Sequence, residues 1–266
     1  MLNSAQALKD GNIDQALADI QQLVRKDPAN ARHRVYLFQL FSVLGHWERA
    51  LTQLNVLADM DAETLPMVQT YRETLRCEVL RGEVFSGQRS PLIFGEPEPW
   101  LALLLESLRL DLDQQHVHAN DLRQQAFEGA SASLGTLDNE AFDWIADADS
   151  RLGPVLEGIV NGKYYWIPFS RISAIRISAP EDLRDLVWTP VHFTWSNGGE
   201  NVGFIPTRYS GSEHASDSSI LLARKTEWLG LGNEAFIGLG QRMFSTNAKD
   251  YALMDIRDLR FIVQPT

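Results

Sequence analysis

Apolar side chains recur every three or four residues along the first half of the chain. One stripe contains Ile13, Leu17 and Ile20, and another contains Leu40 and Leu44. This spacing places each set on one face of an α-helix. The pattern therefore predicts a series of amphipathic helices from the N-terminus to about residue 130.

The helical pattern is interrupted once by a segment rich in glycine and proline. A third helical stretch covers residues 65–84, and the interruption follows at residues 86–99. Pro99 is expected in the first turn of the next helix, because the backbone N–H that proline lacks has no helical partner there. We predict further helices over residues 100–110 and 116–128.

A period of 34 residues relates the first helices to each other. Gly11 and Gly45 are 34 positions apart, and so are Ala16 and Ala50; Pro28 lies 17 positions after Gly11. Each glycine permits a tight turn between two helices, and the proline ends the second helix of a pair. These offsets are typical of tetratricopeptide (TPR) helix pairs, which stack into curved surfaces and bind other proteins.

The chain contains two well-formed repeats and a degenerate third. A second proline is expected at position 62, where Ala62 is found, and the next break comes at Pro66. Two repeats bury too little surface to be stable alone. We therefore expect further helices to pack against them.

Alternation of apolar and polar residues replaces the helical spacing after about residue 131. It is seen over residues 164–169, 172–177, 191–195 and 259–263, and a turn signal, Asn197-Gly198-Gly199, follows the third run. Such runs predict β-strands. We predict an α+β protein, with a TPR-like helical domain at 1–130 and a β-rich α+β domain at 131–266. The second domain is expected to form a small twisted barrel or sandwich, with a short helix over residues 154–160.

Composition and charge narrow the functional classes. A net charge of −11 argues against nucleic acid and anionic membranes as partners, because both require a basic surface. Cys77 is the single cysteine, which excludes an intramolecular disulfide and a cysteine-based metal site. The N-terminus has no basic segment followed by a long apolar core, and no run approaches the length of a membrane span. We expect a cytoplasmic protein.

The acidic segment at residues 143–151 is the strongest candidate for chemistry. Asp147 and Asp149 point to the same side if the segment is extended. Paired carboxylates can bind a hard cation or share a proton. A calcium-binding EF-hand is excluded, because Leu152 and Gly158 occupy its glycine and glutamate positions. The alternative is a structural loop whose carboxylates cap a helix start and pair with Arg151.

Several segments, taken in order, resemble one protein family. They lie at residues 45–50, 81–87, 142–154, 161–168, 182–188 and 206–209. The most specific is Asp147-x-Asp149-x-Arg151-Leu152-Gly153-Pro154. Over essentially its whole length the chain resembles the ImpE/SciE (TagJ) family, which are accessory proteins of bacterial type VI secretion.

The resemblance implies a cytoplasmic, non-enzymatic protein with no catalytic set, metal or cofactor. It implies that the partner is the small subunit of the contractile sheath, bound through that subunit's N-terminal helix. An indirect link to the ClpV ATPase, which disassembles the sheath, is also implied.

Two functional hypotheses remain open. In the first, the chain is a sheath-subunit adaptor, and a groove receives the partner helix. The residues that we expect to line it are Arg32, Tyr36 and Gln39 of the second repeat, with Asp147, Asp149, Arg151 and Arg208 from the β-rich half. In the second hypothesis, the β-rich half is a metal-dependent hydrolase that uses Asp147 and Asp149.

Overall fold

The computed structural model describes residues 2–232 and 235–262. In that part of the chain the helices are α1 (Leu2–Lys9), α2 (Ile13–Lys26), α3 (Ala31–Val43), α4 (Trp47–Met60), α5 (Leu65–Phe85), α6 (Pro99–Leu112), α7 (His116–Gly129) and α8 (Ser218–Leu221). The strands are β1 (Leu92–Ile93), β2 (Gly135–Leu137), β3 (Glu140–Phe142), β4 (Ile145–Asp147), β5 (Val155–Val160), β6 (Lys163–Pro168), β7 (Ile172–Ile177), β8 (Trp188–Trp195), β9 (Glu200–Pro206), β10 (Thr226–Gly232), β11 (Ala235–Gly240), β12 (Met243–Thr246), β13 (Asp250–Ala252) and β14 (Asp258–Phe261).

The first four helices form the two predicted repeats. Gly11 and Gly45 adopt φ of 76° and 67° at the turns between paired helices, a conformation that glycine adopts without strain. Ala16 and Ala50 are fully buried, as expected for positions where helices approach closely. Helix α5 begins the degenerate third repeat. The predicted helices at 100–110 and 116–128 are confirmed as α6 and α7, and Pro99 is the first residue of α6.

A nine-stranded sheet dominates the second half. Its strands lie in the order β1-β6-β5-β9-β8-β7-β14-β2-β3. Strands β8 and β9 form a hairpin at the predicted Asn197-Gly198-Gly199 turn. The strand predicted over residues 259–263 is observed as β14, and Val263 lies outside the described residues.

A smaller sheet packs on the large one. Its strands lie in the order β13-β12-β4, and Phe244 of β12 shares an apolar core with Phe193 of β8 and Ile175 of β7. The arrangement is therefore a sandwich of one large and one small sheet. Strands β10 and β11 form a separate hairpin. The prediction of an α+β fold with TPR-like helices first is confirmed.

The prediction of a helix over residues 154–160 is wrong, because this segment forms strand β5. All six of its residues are buried. Val155 and Ile159 face the core shared with the helices, whereas Leu156 and Val160 face the core between the sheets. A strand covered on both faces has no polar alternation, so its sequence is indistinguishable from a short buried helix.

The two halves share both a core and a sheet. Trp188 and Tyr164 of the large sheet belong to the same apolar cluster as Ala16 and Ala50 of the repeats. Strand β1, which follows α5, pairs in parallel with β6. The predicted division at residue 130 therefore separates segments that are in direct contact.

Candidate functional site

Eight charged side chains are buried where α5 meets the sheets, and we call them the charge network. They are Glu78, Arg81, Asp147, Asp149, Arg151, Glu157, Arg208 and Arg242. Four are acidic and four are basic, so the formal charges cancel. Buried charges are tolerated when they are paired or fully hydrogen-bonded, and Arg208 is held by backbone carbonyls.

Glu157 is the centre of the network. It lies on β5, whose neighbours are apolar, so its carboxylate depends on cations from other elements. Arg81 of α5 donates to its two oxygens over 2.7 and 2.9 Å, and Arg242 donates from the opposite side. The Tyr164 hydroxyl adds a further hydrogen bond of 2.5 Å. Burial alone would raise the pKa of Glu157, but the two arginines outweigh burial and lower this pKa to about 2.

Asp147 and Asp149 lie together, as predicted, and each is held by an arginine. Asp147 accepts from Arg242 and from the backbone N–H of Asp149. Asp149 accepts from the Arg151 guanidinium at 2.9 and 2.5 Å and from the Gly238 N–H at 3.0 Å. Burial raises the pKa of Asp147 to about 7, and Arg242 offsets this only in part. The predicted pairing of Asp149 with Arg151 is confirmed, but the carboxylates stabilise a turn after β4 and not a helix start.

Arg208 joins the network to the repeats. Its Nη1 donates to the Val43 carbonyl at 2.7 Å and to the Leu221 carbonyl at 2.6 Å. Val43 is the last residue of α3, where carbonyl groups have no partner within the helix. Burial lowers the pKa of Arg208 to about 10, so the guanidinium is still charged at neutral pH. Arg208 thus caps α3 from the β-rich half.

The three predicted residues of α3 lie apart from the two aspartates. Arg32 is exposed at the start of the helix, eleven residues from Val43, which is about 16 Å along the axis. The Tyr36 hydroxyl accepts a 3.3 Å hydrogen bond from Ser4, and Gln39 is buried. The structure therefore brings Asp147, Asp149, Arg151 and Arg208 into one buried cluster, with Arg32 on a separate exposed surface.

Four members of the network were not predicted. Glu157 gave one signal, since it is a lone carboxylate in the apolar run of residues 155–160. The sequence contains no such signal for Glu78, Arg81 and Arg242, because their partners are distant in sequence. Arg81 and Glu157, for example, are 76 residues apart.

A cleft of about 950 Å³ opens between the first half of α5 and the large sheet. Its residues are Pro66, Gln69, Thr70, Glu73 and Thr74 on α5, with Ile159, Asn161, Gly162, Arg176, Ile177, Ser178, Pro190, Val191, His192, Val202, Gly203 and Phe204 on the sheet side. The floor is mostly apolar and includes Val202, with 73% of its surface accessible. Clefts with an apolar floor and a few polar groups are the usual form of a binding site.

A hydrogen bond joins the wall formed by α5 to the edge of the cleft. The Cys77 thiol donates to the Gly162 carbonyl at 3.4 Å, in the turn between β5 and β6. Gly162 has a φ of 70°, and a Cβ at this position would lie 3.2 Å from the Cβ of Glu73. Close approach of the helix to this turn determines the position of the cleft.

Within residues 2–232 and 235–262, no three histidine, cysteine, aspartate or glutamate side chains are placed to share a metal ion. None of the helices in the described residues combines the length and apolar character that crossing a bilayer requires.

Comparisons with known proteins agree with the order of the two halves. Residues 7–72 match a tetratricopeptide repeat model, and residues 139–260 match the model of the ImpE protein. The X-ray crystal structure of a Vibrio parahaemolyticus protein has the same fold, with a TM-score of 0.89 and 24% identity over 98% of each chain.

A curated relative matches nearly the full length. It is the type VI secretion system accessory component TagJ of Pseudomonas aeruginosa, which is 48% identical over 259 residues. These residues cover 97% of this chain and 90% of the relative. The chain therefore belongs to the ImpE (TagJ) family, which its sequence motifs indicated.

Proposed function

We propose that the chain is a non-enzymatic, cytoplasmic accessory protein of a type VI secretion system. As an adaptor, it binds the small sheath subunit through that subunit's N-terminal helix and so influences how the ClpV ATPase handles the sheath. The observation that carries this proposal is the 48% identity to the accessory component TagJ along almost the whole chain.

The chemistry of the two candidate sites favours an adaptor over a hydrolase. Asp147 and Asp149 are each neutralised by an arginine and saturated by backbone N–H groups. A hydrolytic metal would have to take the place of Arg242 and Arg151 at these carboxylates, and each buried arginine would then lose an ion-pair partner. The cleft, by contrast, offers exposed apolar surface, which suits a partner helix.

Titration with a peptide tests the adaptor directly. A synthetic peptide of the sheath subunit's N-terminal helix, from the same gene cluster, is added to the purified full-length protein. We expect saturable binding that a scrambled peptide of identical composition does not show. Equal responses to the two peptides at high micromolar concentration would exclude the adaptor.

A thermal unfolding series tests the hydrolase alternative. A metal that binds only the folded protein raises the unfolding midpoint by mass action. The adaptor predicts that Mg²⁺, Mn²⁺ and Zn²⁺ each leave the midpoint within about 1 °C of that in chelator. A concentration-dependent rise that Asp149→Asn removes would favour the hydrolase.

A further inference from the structure

We infer that the partner helix docks in the cleft between α5 and the large sheet, with its basic flank towards α5 and its acidic flank towards β7 and β8. The inference rests on the proposed function. It places the binding surface for the partner helix elsewhere than on α3, where the sequence predicted it.

Most of α3 is closed to a partner. Its residues 37–43 are all buried, and the smaller depression of about 350 Å³ that Leu37 and Phe41 line between α2 and α4 has little more than a third of the volume of the cleft beside α5. The second half provides part of this cover. The Arg208 guanidinium of the second half donates to the Val43 carbonyl at the end of α3. The first turn of α3, with Arg32, is the part that stays open.

The large sheet, in contrast, is left partly uncovered. Helix α5 lies over its β5 region, and beyond α5 a row of cross-strand neighbours is accessible. Arg176 of β7 pairs with His192 of β8, and His192 pairs with Val202 of β9. Strand β9 is internal to the sheet, so an exposed valine on it is surface that a neighbouring helical layer would ordinarily cover.

The volume of the cleft is comparable with that of two turns of helix. Two turns of helix measure about 11 Å in length and about 10–12 Å in diameter, which corresponds to about 1,000 Å³. The cleft measures about 950 Å³. A partner helix lying beside α5 would extend the helical layer across the sheet by one member.

The charges on the two rims differ in sign. Glu73 lies on the α5 rim, where it forms an ion pair with the largely exposed Arg76. Arg176 carries the positive charge of the opposite rim, where its Nη2 lies 3.5 Å from His192 Nδ1, and His192 Nε2 lies 3.7 Å from the carboxylate of Glu200. A helix with apolar residues at positions i, i+3, i+4 and i+7 would contact Val202 with its apolar face. Lysine or arginine on one flank and aspartate or glutamate on the other would complement the rims.

Two matched substitutions test the assignment with the sheath-helix peptide. Val202→Glu places a charge on the floor of the cleft. Val117→Glu makes the same change on α7, where the valine is 62% exposed. We expect Val202→Glu to weaken binding at least tenfold and Val117→Glu to leave it within twofold. Arg32→Glu, on the open turn of α3, is also expected to stay within twofold.

Disulfide trapping gives a second measurement that does not depend on a loss of affinity. Cys77 is buried, and burial raises its pKa to about 12, so a Val202→Cys variant carries one reactive thiol. A peptide with one activated cysteine on its apolar face should crosslink to this variant faster than to Val117→Cys. The scrambled peptide should crosslink to both variants at the same slow rate.

The outcomes separate the site from the function. If wild-type protein binds the peptide but Arg32→Glu abolishes binding and Val202→Glu does not, the cleft is the wrong surface and the adaptor function stands. If wild-type protein does not distinguish the peptide from its scrambled control, both proposals are overturned. Crosslinking at equal rates to Val202→Cys and Val117→Cys would also overturn the cleft.

Discussion

The two ends of helix α5 meet the same sheet in opposite ways. Towards its C-terminus, Glu78 and Arg81 are buried and bonded to groups on the sheet. Towards its N-terminus, Gln69 and Glu73 stand beside the open cleft, where Val202 is largely exposed. One helix therefore closes an interface at one end and leaves a surface free at the other.

The difference indicates how a binding surface can coexist with a fixed fold. Charge pairs with directional hydrogen bonds define where α5 lies on the sheet, and an apolar contact alone would define this less sharply. The open end adds fewer contacts, chiefly Tyr71 against Trp188 and the Cys77 thiol on the Gly162 carbonyl, and these leave the cleft between them and β9 uncovered. We expect stability to depend on the closed end and binding to depend on the open end.

Removal of the Glu157 charge should give the largest effect on stability. In Glu157→Gln, Arg81 and Arg242 lose the carboxylate between them, and an uncompensated buried charge costs about 3–5 kcal/mol. Denaturant unfolding of the variant measures this loss. Glu200→Gln on the exposed part of β9 is the control and should change the free energy of unfolding by less than about 0.5 kcal/mol. Similar values for the two variants would show that the network does not hold α5.

The cost of Glu157→Gln should shrink in acid. The pKa of Glu157 is about 2 in the folded protein, below its ordinary value of 4.5. A carboxyl with a lowered pKa contributes stability that is present above pH 4.5 and is lost as pH falls towards 2. The difference between wild type and variant should therefore decrease by about 3 kcal/mol over this window. Unfolding curves at several pH values measure it, and a constant difference would contradict the assignment.

Substitution at the open end should give the smallest effect. Val202→Thr keeps the branched shape on β9 and exchanges a methyl group for a hydroxyl that water can reach. We expect the free energy of unfolding to change by less than about 0.5 kcal/mol. Val191→Thr, at a buried position on the neighbouring strand, is the matched comparison and should cost about 1–3 kcal/mol. A large loss for Val202→Thr would mean that the cleft contributes to the fold.

The repeats could be predicted from sequence because the residues that mark them lie close together in the chain. Gly11, Ala16 and Pro28 indicate turns and close contacts within one helix pair. The same pattern recurs after 34 residues. Helical bounds followed in the same way, since apolar spacing and Pro99 act over a few residues. The family motif also located the Asp147 and Asp149 turn.

The charge network and the cleft were not accessible, because both are made by distant segments. Arg242 and Asp147 are 95 residues apart, and nothing near either residue identifies the other. The β5 run gave a wrong element for a related reason. Its two faces are covered by different cores. Because both faces are apolar, the run lacks the alternation of apolar and polar residues that would indicate a strand. The exposure of Val202 likewise depends on how far α5 extends over the sheet, and no local sequence pattern indicates this.

Strand β1 has a consequence for how the chain can be divided. This two-residue strand forms one edge of the large sheet, yet it precedes α6 and α7 in the chain. A fragment starting at residue 131 would expose the edge of β6, which invites pairing with other molecules. The same fragment would keep Glu157 while losing Arg81. We therefore expect that neither half, expressed alone, would form a stable independent domain.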